Sequence, residues 1–438
     1  MAKKWKGSLK IMKRFLSALL CAVLALSLCG SSALAEPVTI TFWHSIEEAA
    51  REPILALLDQ FMAENPDIKV VAEYQGAYAD SNKKLLAAVA AGDKLPGVHQ
   101  TLCTVISTYA QNGILSNLSE FVTAENFPID KYAAGMVDAY TYDGSLYGLP
   151  VFCSVCPTIY YNKDVAQAEG ITLPQNWAEW DAFVRAAAKK DENGNTTRYA
   201  ATFAGWGIAY YGPIFWSNGV VPFTDDSQTE CALGSDEAMA VYKMIKGWVD
   251  EGLVKWAYGT NASTNMRQSL LDGSSFCVFH TSAMYSSLYY PKFTEMGQQL
   301  GVAFPPAGAA KQVAELGGSG LTIPEKLSPE EKAAAWKLVK FLTNGESSMT
   351  IVKATGYLPT STMATETQAY ADYVAQNPEL ENLYVHLDEI QPGVSNPCWS
   401  SICTLWQDAM AKVFNENAPM EETIEQMVAD ANEVLADQ

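Results

Sequence analysis

The side chains in this sequence best suited to making bonds are its cysteines, and their spacing argues against catalysis. Beyond residue 35 they are Cys103, Cys153, Cys156, Cys231, Cys277, Cys398 and Cys403, an odd set that cannot all pair. Cys153-Ser-Val-Cys156 has the spacing of a redox dithiol, but it follows Leu149-Pro150 in a strand-like run. It does not open a helix, where the dipole would stabilise a thiolate, so it reads as structural. Cys398 and Cys403 could supply two zinc ligands, yet the four histidines show no metal-ligand repeat. No metal and no cofactor are expected. His44 ends a strand-like run and could orient a ligand oxygen; His99, His280 and His386 read as structural.

Enzyme signatures are missing from the same stretch: no Gly-x-Ser-x-Gly elbow, no His-Glu-x-x-His helix, no phosphate loop, no dinucleotide glycine pattern. A secreted glycosidase, the enzymatic alternative, would need two carboxylates ~5–10 Å apart on facing loops. Carboxylates abound, but no pair stands in a recognisable loop context. Binding chemistry fits better. Aromatics are 11% of the chain, and flat rings beside hydroxyls suit sugar faces or a cationic head group. Trp206, beside glycines, and Trp399, among the serines of 395–401, are candidate ligand contacts, whereas Tyr211, Phe215 and Trp216 read as core.

Residues 1–35 read as a signal peptide, with six Lys/Arg, no acidic residue, an apolar run from Phe15 to Leu28 and Ala33-x-Ala35 as the cleavage site. Met12 is an alternative initiator, and Cys29 in Leu26-Ser-Leu-Cys an alternative lipid-anchor site. Without the leader, 23 Lys/Arg face 49 Asp/Glu, a net charge of −26. That field repels nucleic acid and anionic membranes. Some four hundred residues exceed one ordinary core, so two domains are expected.

Strand and helix alternate along the chain. Val38–Trp43 alternates apolar and polar, and Glu47–Asn65 carries Ile54, Leu57, Leu58 and Phe61 on one helical face. Ile68–Tyr74 is the next strand, and Tyr78–Ala91 a helix stopped by Gly92. This order predicts a parallel sheet whose ligand site lies at the carboxyl ends of its strands, on the loops after Phe42, after Tyr74 and around Gln100–Thr104. Leu146–Phe152 and Thr158–Lys163 form an extended passage between lobes. Further helices are expected near Trp177–Lys190, Ser235–Glu251, Ser328–Asn344, with a capping box, and Glu421–Ala436.

Five blocks in order resemble the extracellular solute-binding proteins of ABC importers: Ile40–Ser45, Phe61–Val70, Pro157–Asp164, Glu315–Ser319 and Ala354–Thr360. Within the carbohydrate-type family, Tyr74-x-Gly76-x-Tyr78 and Thr355-Gly-Tyr357 are most similar to the glycerol-3-phosphate-binding branch. The resemblance implies an α/β, two-lobed, periplasmic-binding type II fold that closes on a solute about a multi-strand hinge. It places residues 36–150 plus about 301–352 in one lobe, and about 151–300 plus 353–438 in the other. It also implies a monomer outside the cytoplasm, delivering a sugar, oligosaccharide or glycerol-phosphate ester to a permease. A sensory or adhesive role on the same fold is the non-transport alternative. The family's ligand contacts fall on Tyr78, Ser154 or Val155, Ser282, Gly317 or Gly318, and Tyr357. Two positions depart from the branch: Cys103 replaces an acidic residue, and Ser395 an arginine suited to bidentate phosphate binding. No Arg or Lys lies between Lys353 and Lys412, so loss of phosphate binding is the simpler reading.

Overall fold

The computed structural model describes residues 36–436. The signal-peptide reading, with Met12 and Cys29, falls outside them. In chain order the principal strands are β1 (Val38–His44), β2 (Ile68–Tyr74), β3 (Val98–Leu102), β4 (Gly148–Cys156), β5 (Thr158–Asn162), β6 (Thr196–Ala204), β7 (Val254–Ala257), β8 (Ser275–His280), β9 (Leu300–Ala303), β10 (Ala314–Thr322) and β11 (Ile390–Gln391). They build two sheets. The first has the order β11-β10-β3-β1-β2, with β4 also on β10; the second has the order β7-β6-β8-β5-β9.

The parallel core of the first sheet follows from its local sequence. β1 pairs with β2 from Val38↔Ile68 to His44↔Tyr74, and with β3 on its other side. The intervening helices are Glu48–Glu64 and Tyr78–Ala91, the latter ended by Gly92 at φ 70°, a left-handed conformation that glycine adopts without a Cβ clash. Ile40, Phe42, Ile54, Leu58, Phe61 and Leu85 are buried in one core with Trp336. The helix Pro329–Leu342 that carries Trp336 has the expected capping box between Ser328 and Glu331. Ser328→Ala should cost about 1 kcal/mol, read as a lower urea midpoint.

The second sheet is packed with aromatic side chains. Phe203 and Phe279 stack at 4.5 Å between centroids, and Trp180 meets Phe279 at 5.4 Å. The expected helix at 177–190 is shorter: a 3-10 turn at Trp177–Glu179 and a helix Trp180–Ala187. Lys189 and Lys190 instead pair with β6.

The chain crosses between the sheets at Pro157, through 304–313, and through 392–398 to the helix Trp399–Asn415. Between β10 and β11 it also leaves the first sheet, and Pro378–Leu380 and Glu381–Tyr384 pack on β9. These crossings shift the lobe boundaries read from sequence. β9 belongs to the second sheet, and β11 returns residues 390–391 to the first. The short β11 is invisible to periodicity because two residues carry no pattern. No helix among the described residues is long and apolar enough to cross a membrane.

Candidate ligand-binding cleft

β1, β2 and β3 end on one rim, as parallel strands joined by helices must. The side chains there are fixed by a polar network. Gln100, on β3, accepts from the Ser45 backbone N–H at 2.8 Å and donates to Ser319 Oγ at 2.9 Å and Tyr78 Oη at 3.1 Å. Tyr78 Oη lies 3.0 Å from Ser319 Oγ and 3.4 Å from Tyr357 Oη. Burial raises the pKa of both phenols, so both keep their protons and can donate to or accept from a ligand hydroxyl.

Two adjoining chambers open beside this network, of about 180 Å³ and about 500 Å³. They share Glu47, Tyr78 and Tyr357 with Ala283 and Met284, which follow β8 of the second sheet. Both sheets therefore contribute walls. Phe152 and Tyr74 add aromatic surface to the smaller chamber; Ser154, Thr281, Tyr210 and Gln407 add polar groups to the larger. Hydroxyls and amides beside rings are the groups a polyol needs on its edges and faces.

Residues 56–381 match a family described as bacterial extracellular solute-binding protein. The chain belongs to that family. It is 26% identical over 370 residues to the sn-glycerol-3-phosphate-binding periplasmic protein UgpB of Salmonella typhimurium, covering 81% of this chain and 82% of that protein. The Escherichia coli K12 protein of the same name is 25% identical over 367 residues, covering 81% of each. Among solved structures, UgpB from Mycobacterium tuberculosis in complex with glycerophosphocholine superposes with TM-score 0.78 at 21% identity, covering 92% of this chain and 99% of that one. The sugar-binding protein MalE from Xanthomonas citri gives 0.79 at 19% identity, covering 91% and 98%. These likenesses establish the two-lobed type II fold.

In this solute-binding protein the residues singled out from sequence separate into three groups. Tyr78, Ser154, Gly317, Gly318, Tyr357 and Cys103 line the larger chamber. Cys103 is a thiol there: its Sγ donates to the Leu316 carbonyl at 3.5 Å, and burial pushes its pKa up to about 12. Trp206 stands one ring back, edge-on to Tyr210 at 4.3 Å and stacked on His280 at 5.3 Å. Ser395 is exposed and lines a separate space of about 80 Å³ on the far side of Cys103.

Three candidates are turned inward instead. Ser282 is buried; its Oγ accepts from the Val155 N–H at 3.0 Å while its own N–H donates to the Val155 carbonyl. It clasps β4 to the end of β8 and lines neither of the two chambers. His44 is buried and accepts from the Ile46 N–H at 3.3 Å, shaping the turn after β1. Burial, then Arg51, lower its pKa to about 4, so it is neutral at physiological pH. Trp399 does not sit in a loop: it opens a helix and is 2% exposed, against Phe223 and Trp216.

The cysteine pair is no dithiol. Residues i and i+3 of a strand face opposite sides: Cys156 lines the chamber while Cys153 is buried in the core. All seven described cysteines are free. Among the described residues, no group of three or more His, Cys, Asp or Glu is placed to hold a metal.

The sequence places Gln100 only at the edge of a rim loop, and it does not single out Ser319 or Glu315 as site residues. Glu315 is 4% exposed, lines the larger chamber and accepts a 2.7 Å hydrogen bond from Trp216 Nε1. Burial pushes its pKa up to about 8. One signal was available: an acidic residue in the otherwise apolar and glycine run Ala314–Gly318.

Proposed function

We propose that this cleft captures a small hydroxylated solute outside the cytoplasm and delivers it to the permease of an ABC importer. The observation that carries this reading is the Gln100–Tyr78–Ser319–Tyr357 network, held at the rim of one sheet and facing residues from the other. A solute bridging those walls stabilises whichever state brings them together, and a permease can read that state. Lobes joined at Pro157, 304–313 and 392–398, and by the chain between β10 and β11, would move about those segments.

Relatives of this chain carry names for sn-glycerol-3-phosphate, glycerophosphocholine and sugar binding. Between these, the lining favours sugars, because no Lys or Arg stands among the described residues of the two chambers to meet a phosphate. Capture rather than turnover is the reading that the family and the lining support. In a thermal-shift screen of the purified protein, a mono- or oligosaccharide should stabilise it by ~3–4 kcal/mol at 100 to 1,000 times Kd. Tyr357→Ala should abolish that shift while leaving the unliganded Tm within a few degrees. A panel of sugars and glycerol-phosphate esters that moves Tm nowhere would overturn capture of this class. Product release from any glycoside would overturn the non-catalytic reading.

A further inference from the structure

The hydroxyl network does not account for the charge of the cleft. Among the described residues lining the two chambers there is no Lys or Arg, and the acidic side chains are Glu47 and Glu315. Glu315 is the buried one. Its Oε1 is taken by Trp216, whereas its Oε2 has no hydrogen-bond partner among the described residues. Glu315 lines the larger chamber, and a Cβ added at Gly393, in the neighbouring space of about 80 Å³, would stand 3.8 Å from that oxygen. The titratable groups around it are thiols of Cys103, Cys156 and Cys403, brought from the 3-10 turn after β3, from β4 and from the helix Trp399–Asn415. Burial holds them protonated, with pKa values pushed up to about 12, 11 and 12. Nearby cations are engaged elsewhere: Arg51 bonds the Ile46 carbonyl and lies over the Tyr74 ring, and Lys311 reaches Gln391.

A carboxyl desolvated without a cation is costly to keep. Once ionised it is an acceptor for which no described residue supplies a cation. We infer that the solute carries an N–H-bearing amine on a hydroxylated frame, an amino sugar or comparable aminated polyol, whose amine pairs with Glu315. Its hydroxyls would lie on Tyr78, Gln100, Ser319 and Tyr357. This rests on the capture reading above and narrows it. A phosphate ester brings no cation for Glu315 to pair with, and no Lys or Arg among the described chamber residues meets its charge. A quaternary ammonium offers no N–H for Oε2 to accept.

Isothermal titration calorimetry can test this with glucosamine, glucose, glycerol 3-phosphate, glycerophosphocholine and short oligomers of the two sugars. At pH 6.5, where the amine and Glu315 both carry their protons, the aminated sugar should bind at least tenfold more tightly than its hydroxyl counterpart. Its binding heat should vary with buffer ionisation enthalpy, because Glu315 releases its proton on pairing with the ammonium. Glu315→Gln should erase the tenfold preference and the proton release. Equal affinities for amine and hydroxyl sugars, or a preference that survives Glu315→Gln, overturn the amine assignment. Tighter binding of either phosphate ester overturns it too. In each of these cases a solute is bound and capture stands; no heat from any compound overturns both readings.

Discussion

Gly318→Ala should destabilise the protein by about 3–4 kcal/mol, the sum of left-handed backbone strain and overpacking. Gly318 has φ 90°, and a Cβ built on it would lie 2.0 Å from the Phe152 carbonyl oxygen. That oxygen belongs to β4, whose ladder with β10 runs from Glu315↔Cys156 to Thr322↔Gly148. Backbone in the middle of a paired sheet cannot rotate away as a side chain can. The neighbouring Gly317 is a useful control. Its added Cβ would meet Cys156 Sγ at 2.4 Å and Ser154 Oγ at 2.8 Å, both ends of side chains that can turn aside. Gly317→Ala should therefore cost less stability and instead crowd the larger chamber, weakening solute binding. Urea midpoints of the two variants check this. A Gly318→Ala protein within 1 kcal/mol of wild type would show that β4 yields there.

Much of the scaffold is legible because its signals are local. Alternation in Val38–Trp43, the proline-stopped helix before Asp67, Gly92 after Ala91, and Ser328 with Glu331 each speak within a few residues, and each stands in the structure as read. The cleft is legible only in part, because its contacts are not local. Gln100 and Ser319 are 219 positions apart, and nothing in either neighbourhood announces the other. Residue type also says nothing about facing. Ser154 and Ser282 are equally suited to a sugar, yet strand geometry turns Ser154 into the chamber, while backbone pairing with Val155 takes Ser282. Trp399 misled for a related reason. Serines around it suggest a loop, but Ile402, Trp406, Ala409 and Val413 continue a helical stripe from it into the core.

The same geometry separates two uses of burial. Cys103, Cys156 and Cys403 are kept as thiols, neutral and unable to repel a ligand of either charge. Glu315 differs, since its proton is held only up to about pH 8. Through most of the physiological range the unliganded cleft is thus close to uncharged at that point, and it becomes anionic when a cation arrives or the pH rises.

Glu315→Gln should consequently change how stability depends on pH. Glu315 has an ordinary value of 4.5 and a folded value of about 8, raised by burial. The folded protein therefore binds its proton more tightly than the unfolded chain does. Wherever the folded state holds more protons, stability falls as pH rises. This contribution starts to fall near pH 4.5 and is fully lost above about 8. A shift of that size corresponds to about 4–5 kcal/mol, drawn from the cost of ionising a desolvated carboxyl beside one indole N–H. Glutamine keeps the acceptor for Trp216 Nε1 and cannot ionise. At pH 5 the wild type and Glu315→Gln should have similar urea midpoints. Between pH 5 and 9 the wild type should lose stability relative to the variant, which ends the more stable by several kcal/mol. Subtracting the two curves removes carboxylates such as Glu169, which Arg198 holds at about 2, because they titrate alike in both. Parallel curves across that range would mean that water or movement of β10 solvates Glu315 in the unliganded protein. The carboxylate would then be present at neutral pH before any solute binds.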